Sequence, residues 1–509
     1  MSSRYDQIKE QGLAAYPHMY DSKYSPNYTT DFDYHKFQSF MVLANGEKKK
    51  DTFFRGVGRI GARREASKKL YFYKLLVDGN DVQICGNLGD YQAACTEEGK
   101  EILKDSPEFI WNKNSQLGDI VGFYGFIGKT DKGELTIFTT EGKILTPCLH
   151  PIPKEHFGIT DPEIRYGQRY LDLIVSPSVR NIFKTRSKII RTMRNIFDDE
   201  GFMEVETPVL GNSYGGANAK PFKTFMNDLK QDMYMRIAPE LYLKQLVIGG
   251  FNKVFEIGKQ FRNESLDTTH NVEFTSVETY WSPADYNSML QLCEKLVSKI
   301  VFEIHQSYKV IYTLDGTDVE LDFTPPFKRI DILEELRKKT GYPFINLDTE
   351  ETRLELLELC KTKDIKFPPP FTTPRILDKL IGEFVEVECT QPTFLMHHPI
   401  IMSPLAKPHR NDPTLSERFE MFVCCKELAN AYTELNSPFI QRENFQQQMK
   451  DKNGGDDEAQ IPDDDFVKAL EYGLPPTGGL GIGIDRFVMY MTNQQSIREV
   501  LLFNIRNTK

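Results

Sequence analysis

The chain has 509 residues, more than one hydrophobic core usually serves, so two or more domains are expected. Its formal net charge of -10 excludes a protein that coats DNA or RNA indiscriminately, because neutralising phosphates takes a surplus of Lys and Arg; nucleic-acid contact must come from a local basic patch. Eight cysteines without C-x-x-C spacing suggest neither disulfide scaffold nor zinc site, no apolar run reaches the roughly 20 residues of a membrane span, and Asp6 and Glu10 come early for a leader, so a cytoplasmic chain with no membrane partner is expected.

Residues 1–45 are Tyr-rich and interrupted by Pro17 and Pro26, which predicts an irregular segment wrapping a neighbouring surface. Residues 46–146 carry short β segments at 52–60, 70–77, 81–85, 120–127 and 134–138, with a helix-like stretch at 97–104. That order predicts a five-stranded Greek-key barrel of the OB kind, a common binder of single-stranded nucleic acid. Arg55, Arg59, Arg63, Arg64, Lys68 and Lys69 give it the basic patch that the whole chain lacks.

Gly128-Lys129-Thr130 resembles the end of a P-loop, but Gly122 stands one residue too far away and Asp131-Lys132-Gly133 suits a hairpin turn. Pro147, Pro151, Pro153 and Pro162 mark residues 147–165 as a linker in which neither helix nor strand persists.

In the second domain, 166–509, apolar spacing predicts a helix over 178–200, stopped by Gly201 and followed by an alternating strand ending at Pro208. Ser282-Pro283-Ala284-Asp285 reads as an N-cap with proline in the first turn. Strand-like segments at 384–389, 418–423 and 480–490, not strictly alternating with helices, favour an antiparallel α+β domain.

F-E-I-G-K-Q-F-R-N-E at 255–264 places Arg262 and Glu264 on one face at a strand end. Alone, such a pair is more often a surface ion pair at a strand end. T-H-N-V-E-F at 269–274 brings His270, Asn271 and Phe274 back beside them, and an arginine for phosphate, an aromatic platform for a base and a carboxylate together make a nucleotide site. G-G-L-G-I-G-I-D-R at 478–486 allows close backbone approach to a ligand and ends on Arg486. N-A-Y-T-E-L-N at 430–436, as a strand, presents Asn430, Tyr432 and Glu434 on one face; the same letters also suit a helix.

F-R-N-E and G-I-G-I-D-R resemble the second and third signature motifs of class II aminoacyl-tRNA synthetases, and G-F-M-E-V-E-T-P-V-L at 201–210 resembles the first. The barrel and I-R-Y-G-Q-R-Y-L-D-L at 164–173 resemble the Lys, Asp and Asn subgroup. R-I-A-P-E-L-Y-L-K at 236–244, M-S-P-L-A-K at 402–407 and N-A-Y-T-E-L-N resemble its lysyl members.

The resemblance implies an α+β chain with an OB-fold anticodon-binding domain before a catalytic antiparallel sheet flanked by helices, dimerising through the first motif. It implies ATP and Mg²⁺, with L-lysine and tRNA(Lys) as partners. Arg262, Glu264, His270, Asn271, Phe274, Glu427 and Arg486 would bind ATP, with Arg262, Glu264 and Arg486 catalytic. Gly216, Glu240, Arg262, Tyr280, Asn430, Tyr432 and Glu434 would bind lysine, and Glu420 and Glu427 the metal. Glu427 is out of phase with Asn430, so its role rests on the resemblance alone. Arg64, Phe72 and Gln83 would bind the anticodon, although Tyr71 and Tyr73 alternate with Phe72 and leave open which of them is core. An aspartyl or asparaginyl enzyme, or a synthetase-like binding protein without catalysis, are the rival readings.

Overall fold

The computed structural model describes residue 6 and residues 32–95, 101–153, 158–456 and 458–505. The chain divides into two compact units, Met1–Arg180 and Asn181–Lys509. The expected wrapping segment lies largely outside the described residues, but 34–42 form helical turns from which Phe37 meets Phe54 edge-on at 6.0 Å.

In the first unit, β1 (Lys48–Ser67), β2 (Leu70–Val77), β3 (Asn80–Asn87), β4 (Ile120–Lys129) and β5 (Leu135–Thr146) close into a barrel in the order β1-β2-β3-β5-β4. Period-two alternation fills it: Tyr71, Tyr73, Leu75 and Val77 point inward from β2. Inside, Tyr73 stacks on Trp111 at 5.4 Å. Residues 101–104 of the expected helix are not helical and 96–100 lie outside the described residues; helices instead occupy Leu88–Cys95 and Pro107–Asn114, the second with proline in its first turn. The Thr130–Glu134 connection is the expected hairpin turn, closed by Gly133 N–H donating to Thr130 O at 2.9 Å. Pro162 does not sit in a structureless linker. Asp161 caps a helix, Pro162–Gly167, that starts on it, where a missing N–H costs nothing.

The second unit contains β6 (Met203–Glu204), β7 (Leu210–Gly211), β8 (Lys223–Met226), β9 (Gln231–Met235), β10 (Lys253–Phe261), β11 (Glu273–Trp281), β12 (Lys309–Leu314), β13 (Thr317–Asp322), β14 (Lys328–Asp331), β15 (Thr393–Met396), β16 (Arg418–Val423), β17 (Lys426–Thr433) and β18 (Gly478–Gly483). Eight of these form one sheet in the order β14-β15-β16-β17-β18-β11-β10-β6, antiparallel in its middle and parallel at the β14–β15 and β10–β6 edges. Alternate residues, Phe255, Val277, Phe419, Met421, Ala431 and Ile482, pack one face against apolar stripes of helices Pro177–Asp199, Tyr286–His305 and Ile484–Met491.

Four expectations are corrected here. The strand after Gly201 is only β6, because the chain leaves the sheet once Val205 N–H has donated to Phe255 O at 2.9 Å. Asp285, not Ser282, caps the Tyr286 helix, its carboxylate accepting from Asn287 and Ser288 N–H. Residues 384–389 are the end of helix Thr373–Phe384 and a 3₁₀ turn, whose apolar residues pack on a helical period. The 480–490 stretch changes at Ile484 from β18 to helix, so Arg486 stands on a helix.

Candidate active site

The sheet face opposite this core carries the polar residues and floors a cleft of about 450 Å³. Its centre is the register of β18 between β11 and β17: Gly479 lies beside Tyr280 and Tyr432, and Gly481 beside Glu278 and Asn430. A Cβ at Gly479 would overlap Glu434 Oε1, so glycine is what lets the larger neighbours converge.

At one end lie the residues expected to hold a nucleotide. β10 ends at Phe261, so Arg262 and Glu264 stand in the following loop rather than on the strand; Arg262 N–H still donates to Val272 O at 2.9 Å, and both side chains line the cleft. The Arg262 guanidinium lies 5.0 Å from the Phe274 ring centre, and its buried Nε has no hydrogen-bond partner among the described residues. Asn271 Nδ2 donates to Glu273 O at 2.7 Å. Arg486 donates from Nη1 to Glu427 O at 2.5 Å, and its Nη2 lies 2.8 Å from His270 Nε2. His270 Nδ1 is 2.7 Å from Asp267, so an Asp–His–Arg chain fixes the imidazole between two elements.

The metal candidates share this face for a reason invisible in letters. Met421 pairs with Ala429 but Phe422 pairs with Glu427, so Leu428 is an extra residue, a β-bulge that turns Glu427 toward the cleft with Asn430. Glu420 contacts Arg418, and His398 Nε2 at 3.3 Å. Burial works against its charge, yet Arg418 and His398 hold its carboxyl well below the usual range, whereas burial and then Glu420 push Glu427 up. Among the described residues no group of three or more His, Cys, Asp or Glu forms a ready metal cage. Two carboxylates fit a Mg²⁺ whose remaining ligands are phosphate oxygens and water.

At the other end, Glu240 opens helix Glu240–Ile248 and is buried; Tyr432 OH donates to its Oε2 at 2.7 Å. Gly216, at φ +85°, sits against Glu240, where a Cβ would come within 2.8 Å of the glutamate Cβ. Asn430 and Tyr432 are on β17, which settles the strand reading, and Glu434 follows its last residue, 1% exposed. Its Oε1 is buried with no hydrogen-bond partner among the described residues.

Four further residues shape the site. Glu278 lies between Phe274 and Tyr280 in the same period-two phase, a signal present in the sequence; its carboxyl is pushed up to about 8, by burial and then by Glu240. Lys244 stands one helical turn after Glu240. Arg418 lines the cleft beside Glu420 and His398 contacts Glu420 Oε2; neither carried a motif.

In the first unit, Phe72 and Gln83 point out of the barrel, since Tyr71 and Tyr73 take the inward positions and Gln83 pairs with the outward Lys74. The Arg64 guanidinium lies 5.0 Å from the Phe72 ring, and Gln83 Nε2 donates to Thr136 Oγ1 at 2.8 Å.

Residues 161–507 match the family described as tRNA synthetases class II (D, K and N). A lysine–tRNA ligase of Cladosporium cladosporioides is 46% identical over 99% of this chain and 83% of its own length. A probable cytoplasmic lysine–tRNA ligase of Encephalitozoon cuniculi is 46% identical over 92% of each chain. A lysine–tRNA ligase of Aquifex aeolicus is 47% identical over 79% of this chain and 67% of its own.

Proposed function

The chain belongs to the class II tRNA synthetases and joins lysine to tRNA in an ATP-dependent reaction, and from that premise we propose how its residues divide the work. Glu434 with Tyr280 holds the side-chain ammonium of lysine and Glu240 its α-ammonium, with Asn430 and Tyr432 as the wall and Gly216 leaving room above. Arg262 neutralises the α-phosphate as the lysine carboxylate approaches. Arg486 and His270 meet the γ-phosphate end, Phe274 and Arg486 sandwich the adenine, and Glu264 and Asn271 complete that end. Glu420 and Glu427 would hold Mg²⁺, which supplies charge neutralisation for the triphosphate.

The carboxylate attacks the α-phosphorus in line, the α–β phosphoanhydride bond breaks, and pyrophosphate leaves with the electron pair. A ribose hydroxyl at the tRNA 3′ end then displaces AMP from lysyl-adenylate. The phosphoryl transfer needs positioning and charge neutralisation more than a general base. Arg64, Phe72 and Gln83 contact the anticodon.

The observation that carries the lysine reading is the buried, unpartnered Oε1 of Glu434 beside Tyr280: a desolvated carboxylate attracts an ammonium and repels the side chain of aspartate. Calorimetric titration with lysine, aspartate and asparagine tests it: lysine alone should bind, and binding of aspartate instead would refute it. Exposed Met203, Val209 and Leu210 in the first-motif segment support a homodimer through that region. No helix among the described residues is long and apolar enough to cross a membrane, and with the cytoplasmic relative this supports a cytoplasmic enzyme.

A further inference from the structure

Lys244 has none of its surface exposed, and its ammonium meets Glu240 and Glu434, both of which line the cleft. A buried cation persists only where it is paired. Its Nζ reaches Glu240 Oε1 at 2.6 Å and contacts Glu434 Oε2, with the rings of Tyr432 and Phe466 at 5.8 and 5.7 Å. Tyr432 OH occupies Glu240 Oε2. Both Glu434 oxygens are buried without a hydrogen-bond partner among the described residues; Oε2 has the ion contact with Lys244, whereas Oε1 has neither and faces Gly479 in the cleft.

Resting on the lysine reading above, we propose that Lys244 is a positioning and specificity-determining residue. By tying Glu240 to Glu434 it turns one carboxylate oxygen toward the cleft, fixes the seat of the substrate's side-chain ammonium, and makes the pocket select a charged side chain over an uncharged one. The electrostatics agree. Burial pushes the Glu434 carboxyl up, Glu240 and Glu278 add to this, and Lys244 is the charge that opposes them. Lys244 itself keeps its proton because Glu240 and Glu434 outweigh its desolvation. Without Lys244 the Glu434 carboxyl, already raised by burial, is pushed further up, and the more it is neutral the less it prefers an ammonium.

The test is ATP–pyrophosphate exchange by full-length Lys244→Met against the unsubstituted protein. The KM for lysine should rise about thirtyfold or more, the loss expected when one member of a buried charge pair is removed. The KM for ATP should stay within about twofold, since Lys244 lies away from the nucleotide end. Preference for lysine over the uncharged isostere ε-hydroxynorleucine should fall, and the variant's lysine KM should improve as pH rises because deprotonating Glu434 restores the seat. If the Met variant does not fold, Lys244→Gln, which keeps donors without the charge, carries the same comparison. Parallel losses for lysine and ATP, or an unchanged lysine KM, would overturn the proposal. Absence of lysine-driven exchange in the unsubstituted protein would overturn instead the reading on which it rests.

Discussion

Glu427 and Asn430 face the same cleft although they are three positions apart on one strand, because the bulge at Leu428 shifts the pairing of β16 with β17. Strict alternation would turn Glu427 away. Glu427→Gln should therefore raise the Mg²⁺ concentration needed for half-maximal exchange by about tenfold or more, the loss of one charged oxygen ligand of few. Lysine binding measured without ATP should not change. A Mg²⁺ titration of exchange, with lysine calorimetry beside it, reads both.

Glu434→Gln keeps the shape of the side chain and removes its charge. Lysine use should weaken by about 2–5 kcal/mol, as for truncation of a buried charge partner, with ATP binding nearly intact. Equal loss of both would show that Glu434 holds up the fold.

Gly479→Ala places a methyl group on Glu434 Oε1 and within 2.8 Å of the Tyr280 ring. Lysine-dependent exchange should be lost while ATP still binds, measured by calorimetry with each ligand alone. Loss of ATP binding as well would mean that the sheet rather than the pocket has shifted.

Glu278 gives a pH dependence of stability. Burial pushes its folded carboxyl up to about 8 from the ordinary 4.5 of a glutamate, so its stabilising effect is full below the lower value and is lost as pH rises through the upper one. In the absence of substrates, Glu278→Gln should become progressively more stable than its parent between about pH 5 and about pH 9. The gap should reach at most a few kcal/mol, because the cleft lets water reach Glu278. Denaturation midpoints at several pH values check this.

Phe72→Ala should raise the KM for tRNA by the equivalent of about 1–3 kcal/mol, the worth of one stacked base, and leave pyrophosphate exchange unchanged. Aminoacylation and exchange assayed on the same preparation separate the two.

The barrel and the central strands were legible because their signal is local. Alternation in L-Y-F-Y-K-L-L-V and glycine punctuation mark strands whatever lies elsewhere. The convergence of Arg262, Phe274 and Arg486 on one cleft was legible through motif resemblance. The bulge at Leu428 was not, since it is a property of pairing with β16 and not of β17 alone. Lys244 was hidden differently. As an i+4 partner of Glu240 it reads as an ordinary helix-surface pair, and only the long-range approach of Glu434 makes it a buried one. The change at Ile484 from strand to helix was missed because G-L-G-I-G-I alternates up to that residue, and the packing of Phe487 and Val488 against the sheet's core decides the rest.

The central claim is that the carboxylate end of this cleft selects lysine for activation. Its most direct test is ATP–pyrophosphate exchange driven by each of the amino acids in turn. Exchange driven by lysine and not by aspartate or asparagine is the expected result; exchange driven by either of those and not by lysine would contradict it.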